Sequence, residues 1–305
     1  MAEYSIGLDL GGTNLRAAVI SREGKMLEKI AVETNPMLGR DSMLGEMVAA
    51  INGLRSSRGT KDLAGIGLGV PGFIVLKEGV IRNSNNLACL EDFPFRDEME
   101  RRLGTKFILE NDANAAALGE KWIGAGRDVD DLVLFTLGTG IGGGIISGGK
   151  VLHGFVGMAG EIGHLTVVPN GIPCGCGNQG CVEKHASATA ITSMARILRL
   201  GENLSAEEVY ELGVKGDERA LRVFRSMGEA LGIALATVVN TFNFPLYLLS
   251  GGVLGAWDLF APAMLEEARR RSFTFRSTNT RVEKAILGNE AGLFGAAYLP
   301  WVGQD

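Results

Sequence analysis

Clustered positive charge is what this sequence most conspicuously lacks. No basic stretch stands out beyond Arg269, Arg270 and Arg271, which follow Glu266 and Glu267 on an expected helix, and the net charge is −5 with a pI near 5.4. Nucleic-acid affinity depends largely on concentrated Lys and Arg, so no nucleic-acid partner is expected. The opening MAEYSIGLDLGGT has no basic leader followed by an apolar run, which argues against a secretory signal. Residues 230–257 carry no charge, but Asn240, Asn243, Pro245 and the pair Gly251 and Gly252 interrupt them. The stretch therefore predicts a buried helix followed by a buried strand, with no membrane span. These absences place the protein in the cytoplasm.

Cysteine is scarce as well. There are four, and three of them, Cys174, Cys176 and Cys181, fall within PCGCGNQGCVE. Reducing conditions disfavour stable disulfides, and pairing within this cluster would leave an odd thiol. Clustered thiols then point first to metal, with free buried thiols as the alternative; Cys89 stands apart and reads as a small core residue.

Glycine is abundant instead: 44 of 305 residues, about twice the usual roughly 7%. The clusters have no three-residue period, which excludes collagen and implies tight backbone turns. Hydrophobic residues at 46% and charged ones at 21% are a globular composition, and the length allows two domains.

YSIGLDL, GGTN and LRAAVIS read as strand, glycine turn and strand, and LVLFTL, GTGIGGG and GIISGGKVL repeat the unit between Leu132 and Leu152. Aligning Gly11 with Gly138 superposes apolar positions on both sides, which suggests an internal duplication. Helices are expected over 41–56, 93–103, 113–122, 188–200, 205–212, 218–240 and 291–299, the one after Ser205 carrying Glu208 at capping-box distance. Strands are expected over 63–70, 106–109 and 246–249. Alternation of strands and helices gives an α/β protein. No long linker is visible, so the domain boundary is expected at a hinge near residue 112: residues 1–112 with 289–305 form a smaller domain, and 113–288 a larger one carrying the cysteines.

Gly138, Gly140 and Gly143 satisfy a dinucleotide-type glycine spacing, yet a strand and not a helix follows, and neither loop ends in the Gly-Lys-Ser/Thr of a P-loop. What remains is a pair of strand-turn-strand loops whose backbone N–H groups can face phosphates, or ordinary hairpin turns. With Ser250, Gly251 and Gly252 after an apolar strand, the set resembles the actin-like and hexokinase-like ATPase superfamily, of ribonuclease H-like fold, in which two related domains clamp a nucleotide in a cleft between glycine hairpins. The resemblance implies ATP and Mg²⁺ at Asp9, Gly11, Gly12, Thr13, Asn14, Gly138, Thr139, Gly140, Gly142, Gly251 and Gly252. Asp9 would sit beside the phosphates, where a carboxylate organises hydrated Mg²⁺; the other reading is a turn-capping Asp.

Residues 106–109 lead into Glu110, Asn111 and Asp112, and a helix follows at once. Asp112 fits an N-cap by position. It also stands at a strand end, where α/β folds place reactive groups, and phosphoryl transfer to an alcohol needs a carboxylate to accept the hydroxyl proton. Asn111 beside it offers a donor and an acceptor to sugar hydroxyls. His164 joins Cys174, Cys176 and Cys181 in a set of one imidazole and three thiolates that suits a closed, structural zinc site. Glu161 and Glu183 flank this set, so a metal there would aim two carboxylates and the far nitrogen of His164 at one substrate.

LDLGGTN, GLGVPGFI, ENDANAAALGE, LGTGIGGG, EIGH, CGCGNQGCVE and LSGG occur in this order, and together they resemble the ROK family of bacterial sugar kinases and sugar-responsive repressors. The resemblance implies Asp112 as catalytic base, Asn111, Glu161, His164 and Glu183 as sugar contacts, and Gly72 and Asn86 at further edges of the sugar site. Many members carry an aromatic residue shortly after the Asn-Leu pair, where this chain has Leu90, so the rim of the sugar site is expected to differ. Family repressors place a helix-turn-helix ahead of the first glycine loop; only eight residues precede Asp9, which argues against a DNA-binding repressor. An idle sugar sensor would lack the base that Asp112 supplies. The implied activity is ATP-dependent phosphorylation of the 6-hydroxyl of an aldohexose by domain closure, glucose first, with fructose, mannose, N-acetylglucosamine and N-acetylmannosamine open. The resemblance also implies a homodimer or homotetramer.

Overall fold

The structure is a computed structural model that describes residues 2–12, 14–56, 58–82, 84 and 87–302. Thr13 and Asn86, both expected at the site, lie outside the described residues. The first half of the chain forms β1 (Tyr4–Leu10), β2 (Asn14–Ser21), β3 (Met26–Glu33), α1 (Arg40–Ser56), β4 (Leu63–Val70), β5 (Phe73–Val75), β6 (Val80–Arg82), α2 (Phe95–Leu103), β7 (Phe107–Asn111) and α3 (Asp112–Trp122). The second half forms β8 (Leu132–Leu137), β9 (Ile141–Ser147), β10 (Lys150–Val151), α4 (Glu183–Ala186), α5 (Ala188–Ile197), α6 (Ala206–Val214), α7 (Glu218–Phe242), β11 (Leu246–Ser250), α8 (Trp257–Arg271), α9 (Phe273–Ser277), β12 (Arg281–Lys284) and α10 (Ala291–Val302).

Two five-stranded sheets share one topology, β3-β2-β1-β4-β7 and β10-β9-β8-β11-β12. In each the first strand is central, the next two extend to one side and the last two to the other, as a duplicated unit requires. Pairing is antiparallel from β1 to β2 to β3 and parallel from β1 to β4 to β7 and from β11 to β12. Central β1 is covered on both faces and reads as a nearly unbroken apolar run, with Ile6, Leu8 and Leu10 fully buried. Side chains of this size contribute about 1.5–3 kcal/mol each when fully buried. Edge strand β3 alternates between exposed and half-buried positions and carries Glu28, Lys29 and Glu33.

The chain forms two compact units, one of Met1–Leu132, Gly144–Gly160 and Ile286–Asp305, the other of Val133–Gly143 and Glu161–Ala285. The first unit thus runs past the expected hinge at residue 112. The reason is that α3 packs along α10: at Gly119 and Gly295 an added Cβ would overlap the carbonyls of Ala291 and Ala115, so only glycine lets the two helices lie so close. Helix α10 runs to Val302 with Pro300 inside its last turn, where a proline forfeits only one helical bond.

In the second unit α7 packs along α8, burying Leu231, Leu235 and Val239 on one helix and Phe260 and Met264 on the other. The charge-free stretch becomes the end of α7, β11 and the turn after it. No helix among the described residues is long and apolar enough to cross a membrane. The capping box is present, with Glu208 N–H donating to Ser205 Oγ at 3.1 Å and Ser205 N–H donating to Glu208 Oε2 at 2.7 Å.

Candidate active site

The junction of β7 and α3 assigns its polar groups unambiguously. Asn111, with φ −64° and ψ 146°, is the N-cap: its Oδ1 accepts the N–H groups of Ala113 at 2.9 Å and Asn114 at 3.2 Å. Asp112 is therefore not the cap that its position suggested. It is the first helical residue, exposed, with Oδ1 accepting its neighbour Ala113 N–H at 2.8 Å. The Asn111 amide also donates to the Gly72 carbonyl at 3.2 Å, which ties the cap to the loop after β4. Gly72 holds φ 118°, and a Cβ there would press on Ser84, whose hydroxyl donates to the Pro71 carbonyl at 2.7 Å. Leu90, expected at a site rim, is instead fully buried in the core of the first unit, so its difference from an aromatic is one of packing. Cys89 packs against the same core, its sulfur 3.3 Å from that of Met43.

Sequence reasoning passed over the residue before this junction. Glu110 is buried and accepts from Asn111 N–H at 2.9 Å and Asn114 Nδ2 at 3.0 Å, while its other oxygen lies 2.6 Å from His153 Nε2. Burial works against a charge on His153, but the hydrogen bond and charge of Glu110 outweigh it and hold the imidazole above its usual value. A strand-end glutamate beside a lone histidine 43 residues on gave no spacing signal.

Asp9 stands opposite Arg16 in the β1–β2 register and forms an ion pair with it. Its carboxylate also faces Gly292 in the first turn of α10, where the helix dipole favours an anion. The charge expected to need a cation thus already has one. Gly11 N–H closes the turn onto the Asn14 carbonyl at 2.9 Å; Gly11, Gly12 and Asn14 keep the expected hairpin between β1 and β2.

In the second unit the glycine loop lies between two strands, as expected, and closes with Gly138 N–H on the Gly140 carbonyl at 3.0 Å. Ala188 N–H and the Thr189 hydroxyl hold the carbonyls of Gly138 and Thr139, and Gly142 N–H donates to Thr136 Oγ1. After β11, Gly251 turns at φ 102° against the backbone of Leu137. A cavity of about 500 Å³ opens here, floored by Gly138, Thr139 and Gly252 and walled by Ile191, Tyr210 and Phe224. Its size suits a small-molecule site, and its apolar walls with a backbone floor suit a base and its phosphates. Glu207 also lines it. These wall residues lie far apart in sequence and could not be picked out from any local motif.

His164, Cys174, Cys176 and Cys181 converge, their ligand atoms all within 4.8 Å of one another. Cys174 Sγ lies 3.7 Å from His164 Nδ1, and Cys176 Sγ 3.7 Å from Cys181 Sγ. A tetrahedral zinc with Zn–S near 2.3 Å and Zn–N near 2.0–2.1 Å requires edges of about 3.6–3.8 Å, which these two distances match. A folded loop brings the ligands together: Cys174 N–H donates to the Asn178 carbonyl at 2.8 Å, Gly177 N–H to the Cys174 carbonyl at 3.1 Å, and Thr166 bridges to Cys181. Burial, then the neighbouring thiols, push the Cys181 thiol up to about 12, while the Asn178 backbone N–H lowers Cys176. A thiol so placed ionises readily only when a cation takes the proton's place.

The other face of His164 looks away from the thiols, its Nε2 3.8 Å from Glu161 Oε2 on the exposed side. Glu183 begins α4, two residues after Cys181, and its Oε2 accepts Ile141 N–H from the glycine loop at 3.0 Å. At Gly140 a Cβ would collide with that oxygen. Within the second unit, Glu161, His164, Glu183 and the cysteines are thus built on one module next to the glycine loop.

The family model of the ROK family matches residues 5–301. The chain belongs to the ROK family. It is 36% identical to a glucokinase of Halalkalibacterium halodurans over 97% of this chain and 94% of that protein. Among solved structures, the ROK hexokinase of Thermus thermophilus is 37% identical with a TM-score of 0.86, covering 96% of each chain. A ROK family glucokinase of Streptomyces griseus, solved in complex with glucose and AMPPNP, is 33% identical with a TM-score of 0.79, covering 98% of this chain and all of that one. The fold is the two-domain actin-like, hexokinase-like α/β fold of these ROK hexokinases.

Proposed function

We propose that this ROK family member is an ATP-dependent glucokinase that transfers the γ-phosphoryl group of ATP to the 6-hydroxyl of glucose. The observation that carries the reading is the division of roles at the β7–α3 junction, where Asn111 caps the helix and the neighbouring Asp112 carboxylate is exposed. Asp112 accepts the hydroxyl proton as the oxygen attacks phosphorus. Glu161, His164 through Nε2, Glu183 and Asn111, with Gly72 and Asn86, hold the sugar hydroxyls; carboxylates suit this because each accepts several hydrogen bonds. The cavity at Gly138, Thr139 and Gly252 takes the nucleoside, and Gly11, Gly12, Thr13, Asn14, Gly140, Gly142 and Gly251 serve the phosphates.

Asp9, paired to Arg16, is the residue that would hold hydrated Mg²⁺, which would offset the charge of the phosphates. Zinc suits His164, Cys174, Cys176 and Cys181 and has a structural role, since four protein ligands leave no open position. We further read the protein as cytoplasmic, acting on small molecules, and as a homodimer or homotetramer.

An ADP-release assay across glucose, fructose, mannose, N-acetylglucosamine and N-acetylmannosamine tests the reading. Glucose is expected to turn over far faster than the N-acetylated sugars; a preference for one of those would overturn the substrate assignment, and no turnover of any would overturn the kinase. Asp112→Asn is expected to bind glucose normally while kcat falls at least about 100-fold. A kcat near wild type would remove Asp112 as base.

A further inference from the structure

We propose that Glu110 and His153 form a positioning pair that fixes the Asn111–Asp112 turn for phosphoryl transfer, an inference that rests on the kinase reading above. The Glu110 side chain is 2% exposed, and one of its oxygens holds both the backbone N–H of Asn111 and the side-chain amide of Asn114. Both ends of the segment that carries Asp112 therefore hang on a single carboxylate. A carboxylate taken out of water needs compensating charge and hydrogen bonds, or the structure around it loosens. His153 supplies them at 2.6 Å.

The surroundings point the same way. A cavity of about 360 Å³ is lined by Glu110 and His153 together with Lys77, Arg96 and Lys150. Arg96 donates to the carbonyls of Leu76 and Lys77 and to Asp97. The His153 carbonyl in turn accepts Ala159 N–H at 3.1 Å, which fixes the backbone that carries the imidazole. Neither Glu110 nor His153 is placed to touch substrate in the proposed reaction; both act through Asn111 and Asp112.

A positioning role leaves a pH signature. The His153 imidazole is held above its usual value by Glu110, so the contribution of the charged pair is complete at low pH and is lost as pH rises through that raised value. Neutral His153 can still donate from Nε2, so the pair weakens without parting. Lys77, Lys150 and Arg96 are the other charged groups that line this cavity. An aspartate base alone would give activity that rises through the carboxylate range and then stays flat.

The test compares the full-length chain with Glu110→Gln, His153→Gln and the double variant, measuring kcat and both KM values from about pH 6 to 10, with melting curves alongside. Glu110→Gln is expected to lower kcat about 100-fold with the KM for ATP unchanged, the scale of loss for a base displaced by roughly 1 Å. His153→Gln keeps a donor, so a loss of about fivefold is expected at neutral pH, together with disappearance of the alkaline step in kcat. The double variant is expected to match Glu110→Gln within about twofold, as for residues that act as one unit. A His153→Gln profile parallel to wild type, or additive losses in the double variant, would overturn the pair. If Glu110→Gln fails to fold, the His153→Gln profile decides alone. A wild-type chain that phosphorylates no hexose sinks the kinase reading and the pair's role with it, whereas an active wild type with parallel profiles overturns the pair alone.

Discussion

Replacing Gly140 by alanine should separate the two substrates. An added Cβ at Gly140 would run into Glu183 Oε2 and sit 3.3 Å from its carboxyl carbon. To make room the carboxylate must leave Ile141 N–H, which it now accepts at 3.0 Å. Hydrogen bonds to charged groups contribute about 1.5–3 kcal/mol, and a buried N–H left without a partner costs a similar amount. If Glu183 holds a sugar hydroxyl, re-aiming it forfeits that contact, and at about 1.4 kcal/mol per tenfold the loss is roughly 10- to 150-fold in kcat/KM for glucose. Gly138→Ala is the control: a Cβ there meets nothing within 4 Å, but Gly138 floors the proposed nucleoside cavity. It is expected to raise the KM for ATP and leave glucose untouched. A coupled ADP-release assay with each substrate varied in turn, and calorimetric titration with glucose alone, read both variants. Wild-type glucose affinity in Gly140→Ala, or a loss confined to ATP, would refute the reasoning.

Two further outcomes are expected. Cys176→Ala should cut bound zinc well below the wild-type content and weaken glucose binding, and acidification should release the metal because thiols ligate only when deprotonated; undiminished metal by elemental analysis would count against the ligand set. Glu120→Gln should lower stability by about 2–4 kcal/mol, because the buried Glu120 accepts Leu287 N–H at 2.8 Å and Ala125 N–H at 2.9 Å and a glutamine offers only one acceptor oxygen to the two donors; a shift under about 0.5 kcal/mol in urea denaturation would show that the site relaxes.

The elements that were legible in the sequence are those whose signal is local. Apolar strands β1, β4 and β8, the Ser205–Glu208 capping box and the glycine hairpin between β8 and β9 all declare themselves within ten residues. The duplication was legible because it repeats that local pattern, and the shared strand order bears it out. Glycine misled in part: many of the 44 serve close approach between elements, as at Gly119 and Gly295, and not tight turns. That same packing draws α3 into the first unit and moves the boundary from residue 112. The short strands β5, β6 and β10, each of two or three residues, carry too little pattern to detect. At the site, residue types near one another in sequence were found, the metal set above all, whereas Glu110 with His153 and the cavity walls Ile191, Tyr210 and Phe224 needed the fold to assemble them.

The order Asn111 then Asp112 has a chemical reason that neither residue has alone. The cap must be the last residue with extended backbone before the helix, and Asn111 has that conformation. Whichever side chain stands there gives an oxygen to the N–H groups of residues 113 and 114. Were the two exchanged, the carboxylate would be committed to the helix end and an amide would stand at the exposed position, where it cannot accept a proton at neutral pH. Asparagine can cap as well as aspartate, so placing it first costs the helix little and leaves an exposed carboxylate beside the strand end. The helix dipole favours a carboxylate at this first turn whether or not it acts as a base, so the order serves the helix end and a reacting hydroxyl alike.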